Sequence, residues 1–158
     1  MKRIIIDHDR CDGCKNCSIA CMQSHREAKS GSSGTVYDLD LLDPKNEARH
    51  TIVNSTAGYI PIFCRHCAMP HCVSACMSGA MKKDQVTGHV LYDETRCGKC
   101  FMCVMSCPYG NVKPDKASHT KVVKCDFCTD DNGGPNCVKS CPREAIHVEE
   151  VEAGGIAV

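Results

Sequence analysis

The chain is poor in aromatic rings: its 158 residues include three Phe, four Tyr and no Trp. A core of packed aromatics is therefore excluded as its main source of stability, and something else must help hold the chain together. An excess of one charge is lacking too. Residues 1–96 carry 12 basic and 11 acidic side chains, and residues 97–158 carry 7 and 8. Neither half has the basic surplus that a nucleic-acid partner requires. No apolar run reaches membrane-spanning length, which argues against membrane insertion. Only Ile4 to Ile6 follow Met1-Lys2-Arg3 before Asp7, too few for a secretory signal. These absences point to a soluble, cytoplasmic chain whose thiols stay reduced. There is no P-loop and no Gly-rich dinucleotide fingerprint after a strand, so no catalytic residue is assigned.

What the chain has is cysteine, 16 residues in four groups of four. They are Cys11, Cys14, Cys17, Cys21; Cys64, Cys67, Cys72, Cys76; Cys97, Cys100, Cys103, Cys107; and Cys125, Cys128, Cys137, Cys141. The first and third share the spacing C-x2-C-x2-C-x3-C, and the second and fourth are looser. This is an internal repeat, tight–loose–tight–loose. Arg10-Cys11 aligns with Arg96-Cys97, and the loose copies align at Cys72-Val73 and Cys137-Val138.

The tight spacing has a physical reason. Three cysteines two residues apart let a short loop wrap one face of a cubane cluster. The fourth, one helical turn later, points away and can reach a neighbouring cluster. Cys107-Pro108 completes the bacterial ferredoxin run, and Cys141-Pro142 repeats it, whereas Cys21-Met22 and Cys76-Met77 depart from it. A lone C-x2-C pair is more often zinc than iron–sulfur. Four quartets with no cysteine left over favour four 4Fe–4S clusters, with zinc second and a disulfide framework third. Each oxidised cluster with its thiolates carries −2, so four add about −8 to a polypeptide of balanced charge.

Between the groups, Lys2–Asp7 and Ala145–Val151 read as partner strands. Gly79–Asp93 reads as a hairpin turning near Thr87-Gly88, and Lys121–Lys124 as a strand delivering Cys125. Cys17–Met22 and Cys103–Cys107 read as short helices. Residues 22–63 form an insertion with a Ser30–Gly34 turn and a docked loop at Leu39, Leu41 and Leu42. A second insertion runs from Thr129 to Asn136, and the tail Ala153–Val158 reads as poorly ordered. His66 and His71 read as hydrogen-bond donors near cluster sulfurs or as surface groups. Met69, Met77, Met81, Met102 and Met105 read as soft packing around clusters, and Lys99, Lys113, Lys116 and Lys124 as solvated, with some offsetting cluster charge as the alternative.

The segments Phe63-Cys64-Arg65-His66-Cys67, Cys76-Met77-Ser78-Gly79-Ala80 and Cys100 to Gly110 carry a further resemblance. With the sixteen ligand positions, they make the chain similar to the four-cluster, ferredoxin-like electron-transfer subunits of anaerobic oxidoreductases. That family includes the iron–sulfur subunits of carbon monoxide dehydrogenase, formate dehydrogenase, hydrogenase, tungsten aldehyde oxidoreductase and the dimethyl sulfoxide reductase type. The resemblance implies an α+β fold: two merged bacterial dicluster ferredoxin-like units, with short strands and helices around four clusters. One unit would comprise residues 1–21 plus 121–151 and the other residues 60–110, with 22–59 as an insertion loop. It also implies a crossed ligand pairing. Cys11, Cys14 and Cys17 go with Cys141, and Cys125, Cys128 and Cys137 with Cys21. Cys64, Cys67 and Cys72 go with Cys107, and Cys97, Cys100 and Cys103 with Cys76. The implied role is a non-catalytic electron relay between a nickel, tungsten or molybdenum catalytic subunit and a flavoprotein, hydrogenase or ferredoxin. Carbon monoxide dehydrogenase is the first-choice partner and tungsten aldehyde oxidoreductase the second. A freely diffusing polyferredoxin is the alternative.

Overall fold

The computed structural model describes residues 1–26, 39–56, 58–129 and 134–151. Among these residues are four two-stranded antiparallel sheets and four α-helices, three of them a single turn long. Strand β1 (Lys2–Ile6) pairs with β8 (Ile146–Glu150), with Ile4 opposite Val148 and Ile6 opposite Ile146. Ile4 and Ile6 give β1 one apolar face, and β8 supplies the complement from far along the chain. Met1 and Val151 extend the ladder through paired backbone hydrogen bonds. Met1 and Val151 are thereby held side by side.

The middle of the chain repeats the plan. Strands β4 (Met81–Lys83) and β5 (Val90–Tyr92) form a hairpin. Asp84 closes its turn by accepting from the Val86 and Thr87 backbone N–H groups. Helix α2 (His71–Ser74) packs on α3 (Met102–Met105), as α1 (Asn16–His25) packs on α4 (Asn136–Lys139). Pro70 and Pro135 occupy the N-cap positions of α2 and α4, where their missing N–H costs nothing. Asp7 and Asp93 cap the equivalent 3-10 turns before Cys11 and Cys97.

Three features differ from the sequence reading. The segment read as an insertion loop contains a hairpin, β2 (Thr51–Ser55) with β3 (Gly58–Ile62), which runs across the residue 59/60 boundary. Strand β6 (Lys113–Pro114) pairs with β7 (Val122–Val123), so the Lys121–Lys124 strand has a partner that the sequence pattern does not indicate. Of the leucines read as docked, Leu39 is buried, whereas Leu41 and Leu42 are 57% and 93% exposed. The Ser30–Gly34 turn, the Ala153–Val158 tail and residues 130–133 of the second insertion lie outside the described residues. Among the described residues, no helix is long and apolar enough to cross a membrane.

Two small cores replace the missing aromatic one. One joins Met81, Cys103, Val112 and Val122, with Cys72, Cys76 and Cys107 packed against it. The other joins Phe63, Cys137 and Ile146, with Cys17 and Cys141 against it. Cysteine thus takes part in both cores.

The β6–β7 connection hangs on one carboxylate. Asp115 Oδ1 accepts from Thr120 N and Lys121 N, both at 2.9 Å, and Oδ2 accepts from Ser118 N and Oγ, both at 2.7 Å. Burial alone would raise this carboxyl, but the hydrogen bonds from Ser118, Lys121 and Thr120 outweigh it and hold the pKa well below the usual range. Asp115→Ala is expected to lower unfolding free energy by about 2 kcal/mol at neutral pH. A depressed folded pKa stabilises only above the unfolded value, near ~3.9, and this contribution fades as pH falls further. The gap between parent and variant in denaturant unfolding should therefore narrow below about pH 4. A gap unchanged in acid would assign the effect elsewhere.

Candidate metal centres

Each C-x2-C loop turns through the left-handed region at the residue before its second cysteine. Gly13, His66, Lys99 and Phe127 have φ of 73°, 44°, 57° and 64°. In the tight groups Lys15 and Phe101 do so again, at 62° and 57°, immediately before α1 and α3. Non-glycine residues are uncommon there, and each costs on the order of 1 kcal/mol. The gain is geometric: alternating right- and left-handed residues turn successive N–H groups inward, which makes a cradle for an anion. Some N–H groups already aim at sulfur. Arg49 N and Phe127 N donate to Cys21 and Cys125 Sγ at 3.3 and 3.4 Å, and Met81 N and Lys99 N to Cys76 and Cys97 Sγ at 3.3 and 3.4 Å. Soft thiolate donors inside such cradles fit an iron–sulfur cluster.

The structure brings cysteines together across groups. One cavity is lined by Cys125, Cys128 and Cys137 together with Cys21, more than 100 residues away in sequence. A second is lined by Cys11, Cys14 and Cys17 together with Cys141. Thiol electrostatics give the same neighbourhoods. Burial lifts Cys17 to about 11, with Cys14 and Cys141 adding like-charge repulsion. Burial lifts Cys72 to about 11, with Cys64, Cys107 and Cys67 adding to it. It raises Cys103 beside Cys76 and Cys97, and Cys137 beside Cys125, Cys21 and Cys128. Without a metal these thiols hold their protons at neutral pH, so ligation must release them. Cys14 and Cys100 are the only exposed cysteines of the sixteen.

Charged groups line one cavity that the sequence did not mark out. Asp126, between Cys125 and Cys128, pairs with Arg49 and accepts from His25 Nε2 at 3.2 Å. Burial opposes charge on His25, yet its bonds to Asp126, Cys128 and Cys21 lift its pKa to about 12. His50, stacked on Phe63 at 4.3 Å, is pushed down to about 4 by burial and Lys113. A signal for this asymmetry lay in the repeat: Asp126 occupies the position that Arg65 takes in the other loose group. Arg65 instead lies over the Tyr109 ring at 4.3 Å.

Several residues sit differently from their sequence reading. His66 is 1% exposed; its Nδ1 accepts from Val90 N at 2.9 Å, which leaves the ring proton on Nε2, buried and without a hydrogen-bond partner among the described residues, and His71 is at the surface. Lys124 is buried and Lys113 half-buried, because their ammonium groups donate to backbone carbonyls; Lys99 and Lys116 are exposed. Met81 is core. Met69, Met77, Met102 and Met105 are 78%, 92%, 47% and 82% exposed, because a one-turn helix has a single inner face and valine and cysteine already fill it.

Gly13 shows how tightly the first loop is held. A Cβ there would lie 2.4 Å from the Tyr59 ring of β3, in a conformation with φ of +73°. Gly110 has φ of +62° with open space around it. Gly13→Ala is expected to cost at least about 2 kcal/mol more than Gly110→Ala, since only the first adds overpacking to backbone strain. Denaturant unfolding of the two variants checks this, and equal losses would mean that the Tyr59 contact is immaterial.

Known proteins place this geometry in a family. Residues 55–151 match the family described as a 4Fe-4S dicluster domain. Electron transport protein HydN of Escherichia coli is 32% identical over 90% of this chain and 85% of its own length. The B subunit of the anaerobic dimethyl sulfoxide reductase of the same organism is 37% identical, over 89% and 69%. The beta subunit of NADH-dependent phenylglyoxylate dehydrogenase from Aromatoleum evansii is 35% identical over 90% of this chain, which spans only 29% of that protein. The fold also resembles a subunit of the BamBC active-site complex of benzoyl coenzyme A reductase. The TM-score is 0.51 at 23% identity, covering 100% of this chain and 82% of that one. The chain belongs to the 4Fe-4S dicluster family of iron–sulfur electron-transfer proteins.

Proposed function

We propose that the protein is an electron relay holding four 4Fe–4S clusters, each ligated by three cysteines of one group and the fourth of another. The sets are Cys11, Cys14, Cys17 with Cys141; Cys125, Cys128, Cys137 with Cys21; Cys64, Cys67, Cys72 with Cys107; and Cys97, Cys100, Cys103 with Cys76. The observation that carries this reading is that two cavities are each lined by a complete crossed set. The clusters would supply one-electron redox chemistry. The chain's own part is to hold them in order and keep water away from the middle ones.

An order along the path follows from the placement. Helices α2 and α3 pack together and join the Cys97 set to the Cys64 set, while α1 and α4 join the Cys125 set to the Cys11 set. Cys64 repels charge on Cys125, so these two sets meet at the centre. Exposed Cys100 and Cys14 then mark the two ends. Each end would face a redox partner. One is a catalytic oxidoreductase subunit, with a carbon monoxide dehydrogenase first and a tungsten aldehyde, formate or dimethyl sulfoxide type as the alternative. The other is a flavoprotein, hydrogenase or ferredoxin.

Anaerobic purification from native cells with elemental analysis tests the reading. About sixteen irons per chain are expected. Nickel with the iron favours the carbon monoxide dehydrogenase or hydrogenase partner, tungsten or molybdenum the aldehyde or formate type, and zinc alone sinks the proposal. Crossed ligation makes a separate prediction. Cys141→Ala should damage the cluster of the distant Cys11 loop and leave the Cys125 loop loaded, so iron falls by about a quarter. Loss from the Cys125 loop would mean that each quartet closes on itself.

A further inference from the structure

The two halves of the chain meet at one buried, hydrogen-bonded junction. Val90 N donates to His66 Nδ1 at 2.9 Å, and the Val90 carbonyl accepts from Lys124 Nζ at 2.5 Å. The same ammonium donates to the Cys125 carbonyl at 2.6 Å. His66 lies between Cys64 and Cys67, and Lys124 directly precedes Cys125. One residue of β5 thus bridges a cysteine loop of each half. Rings seal the junction: His89 stacks on Phe127 at 4.2 Å and tilts against His66 at 4.9 Å. Phe127 itself lies between Cys125 and Cys128.

Charge is placed here selectively. Lys124 and Arg3, at 3% and 8% exposure, are the only buried Lys or Arg side chains among the described residues. Lys124 opposes the burial-driven rise of both the Cys72 and Cys125 thiols, one from each half. Arg3 faces the same region, acting on His66 and Cys67. A cation without water around it interacts far more strongly than one at the surface. A cluster that gains an electron gains negative charge, so a fixed cation nearby favours its reduced state.

We propose that Lys124 is a positioning residue for electron passage between the two halves. Its ammonium straddles the Cys64 and Cys125 sets and makes the two central clusters easier to reduce than the two outer ones. This rests on the four-cluster reading above. The consequence is a relay whose middle attracts the electron, so that an electron arriving at either end is drawn past the first cluster.

The test is an anaerobic redox titration of the cluster-loaded chain, followed by electron paramagnetic resonance, with iron counted per chain. Lys124→Gln keeps a hydrogen-bond donor and removes the charge; Lys124→Arg keeps the charge. In the parent, two of the four couples should titrate above the others. Lys124→Gln should lower those two by about tenfold in the reduced-to-oxidised ratio, ~59 mV for a one-electron couple, and leave the other two in place. Lys124→Arg should follow the parent. A fully loaded Lys124→Gln whose couples match the parent, or whose four couples shift together, overturns the proposal. Should Lys124→Gln fail to hold its iron, the parent decides: four couples with no two set above the rest overturn it equally. Fewer than about sixteen irons in the parent would instead overturn the four-cluster reading, a failure that the iron count tells apart.

Discussion

Sixteen thiols in a chain of 158 residues repel one another once ionised, and burial makes each ionisation harder. Cys17, Cys72 and Cys125 are lifted to about 11, 11 and 12 by that burial, with neighbouring cysteines adding to it. The rest of the structure is organised to hold such groups together until a metal takes their protons. At Lys99 and Phe127 the left-handed turns aim the residue's own N–H at Cys97 and Cys125 Sγ. Lysines hold the opposite, carbonyl side of the same loops. Lys83 Nζ donates to the Cys67 and Ala68 carbonyls at 2.6 and 3.0 Å, and Lys124 Nζ to that of Cys125 at 2.6 Å. The loops are thereby polarised, with N–H groups inward and cations behind.

The hairpins position these loops and do little else. β1 and β8 bring Cys141 to the Cys11 loop, and the β2–β3 hairpin closes over it, with Ile52 and Pro61 lining the cavity and Tyr59 against Gly13. The sheets are too small to be stable alone. Their inner faces instead join cysteines in the two cores, so cluster loading and folding are coupled on the proposed ligation.

Most of this skeleton is legible in the sequence, because cysteine spacing, the apolar run of β1 and the apolar alternation of β8 are local signals. The β2–β3 hairpin is not. Pro61 inside a run argues against a strand, and only its place in a two-stranded edge sheet makes it tolerable. The buried lysines are hidden for a related reason. A lysine is usually solvated, and the carbonyls that desolvate Lys113 and Lys124 come from residues 34 or more positions away as well as from a neighbour. The methionines differ in the opposite sense: Met69, Met77, Met102 and Met105 flank or lie on helices one turn long, where too little inner surface exists to receive them. The Asp126–Arg49–His25 group depends on contacts between segments 77 and 101 residues apart, which no spacing rule encodes.

The two repeats have drifted apart at the positions that set charge and kept those that set geometry. Asp7 and Asp93 cap the same turn, Arg10 and Arg96 precede the same cysteine, and Pro70 and Pro135 start the same helix. Between the paired cysteines of the loose groups, however, Arg65-His66 faces Asp126-Phe127. Arg65 is turned out over Tyr109, whereas Asp126 is turned in against Arg49 and His25. Identical clusters in identical surroundings would have equal potentials, and an electron among them would have no preferred place. Substitution at the residues between the ligands changes the local field without moving a ligand. On the proposed ligation, the residues between the ligands of the loose groups, where the two copies exchange a basic side chain for an acidic one, would give the two central clusters different surroundings.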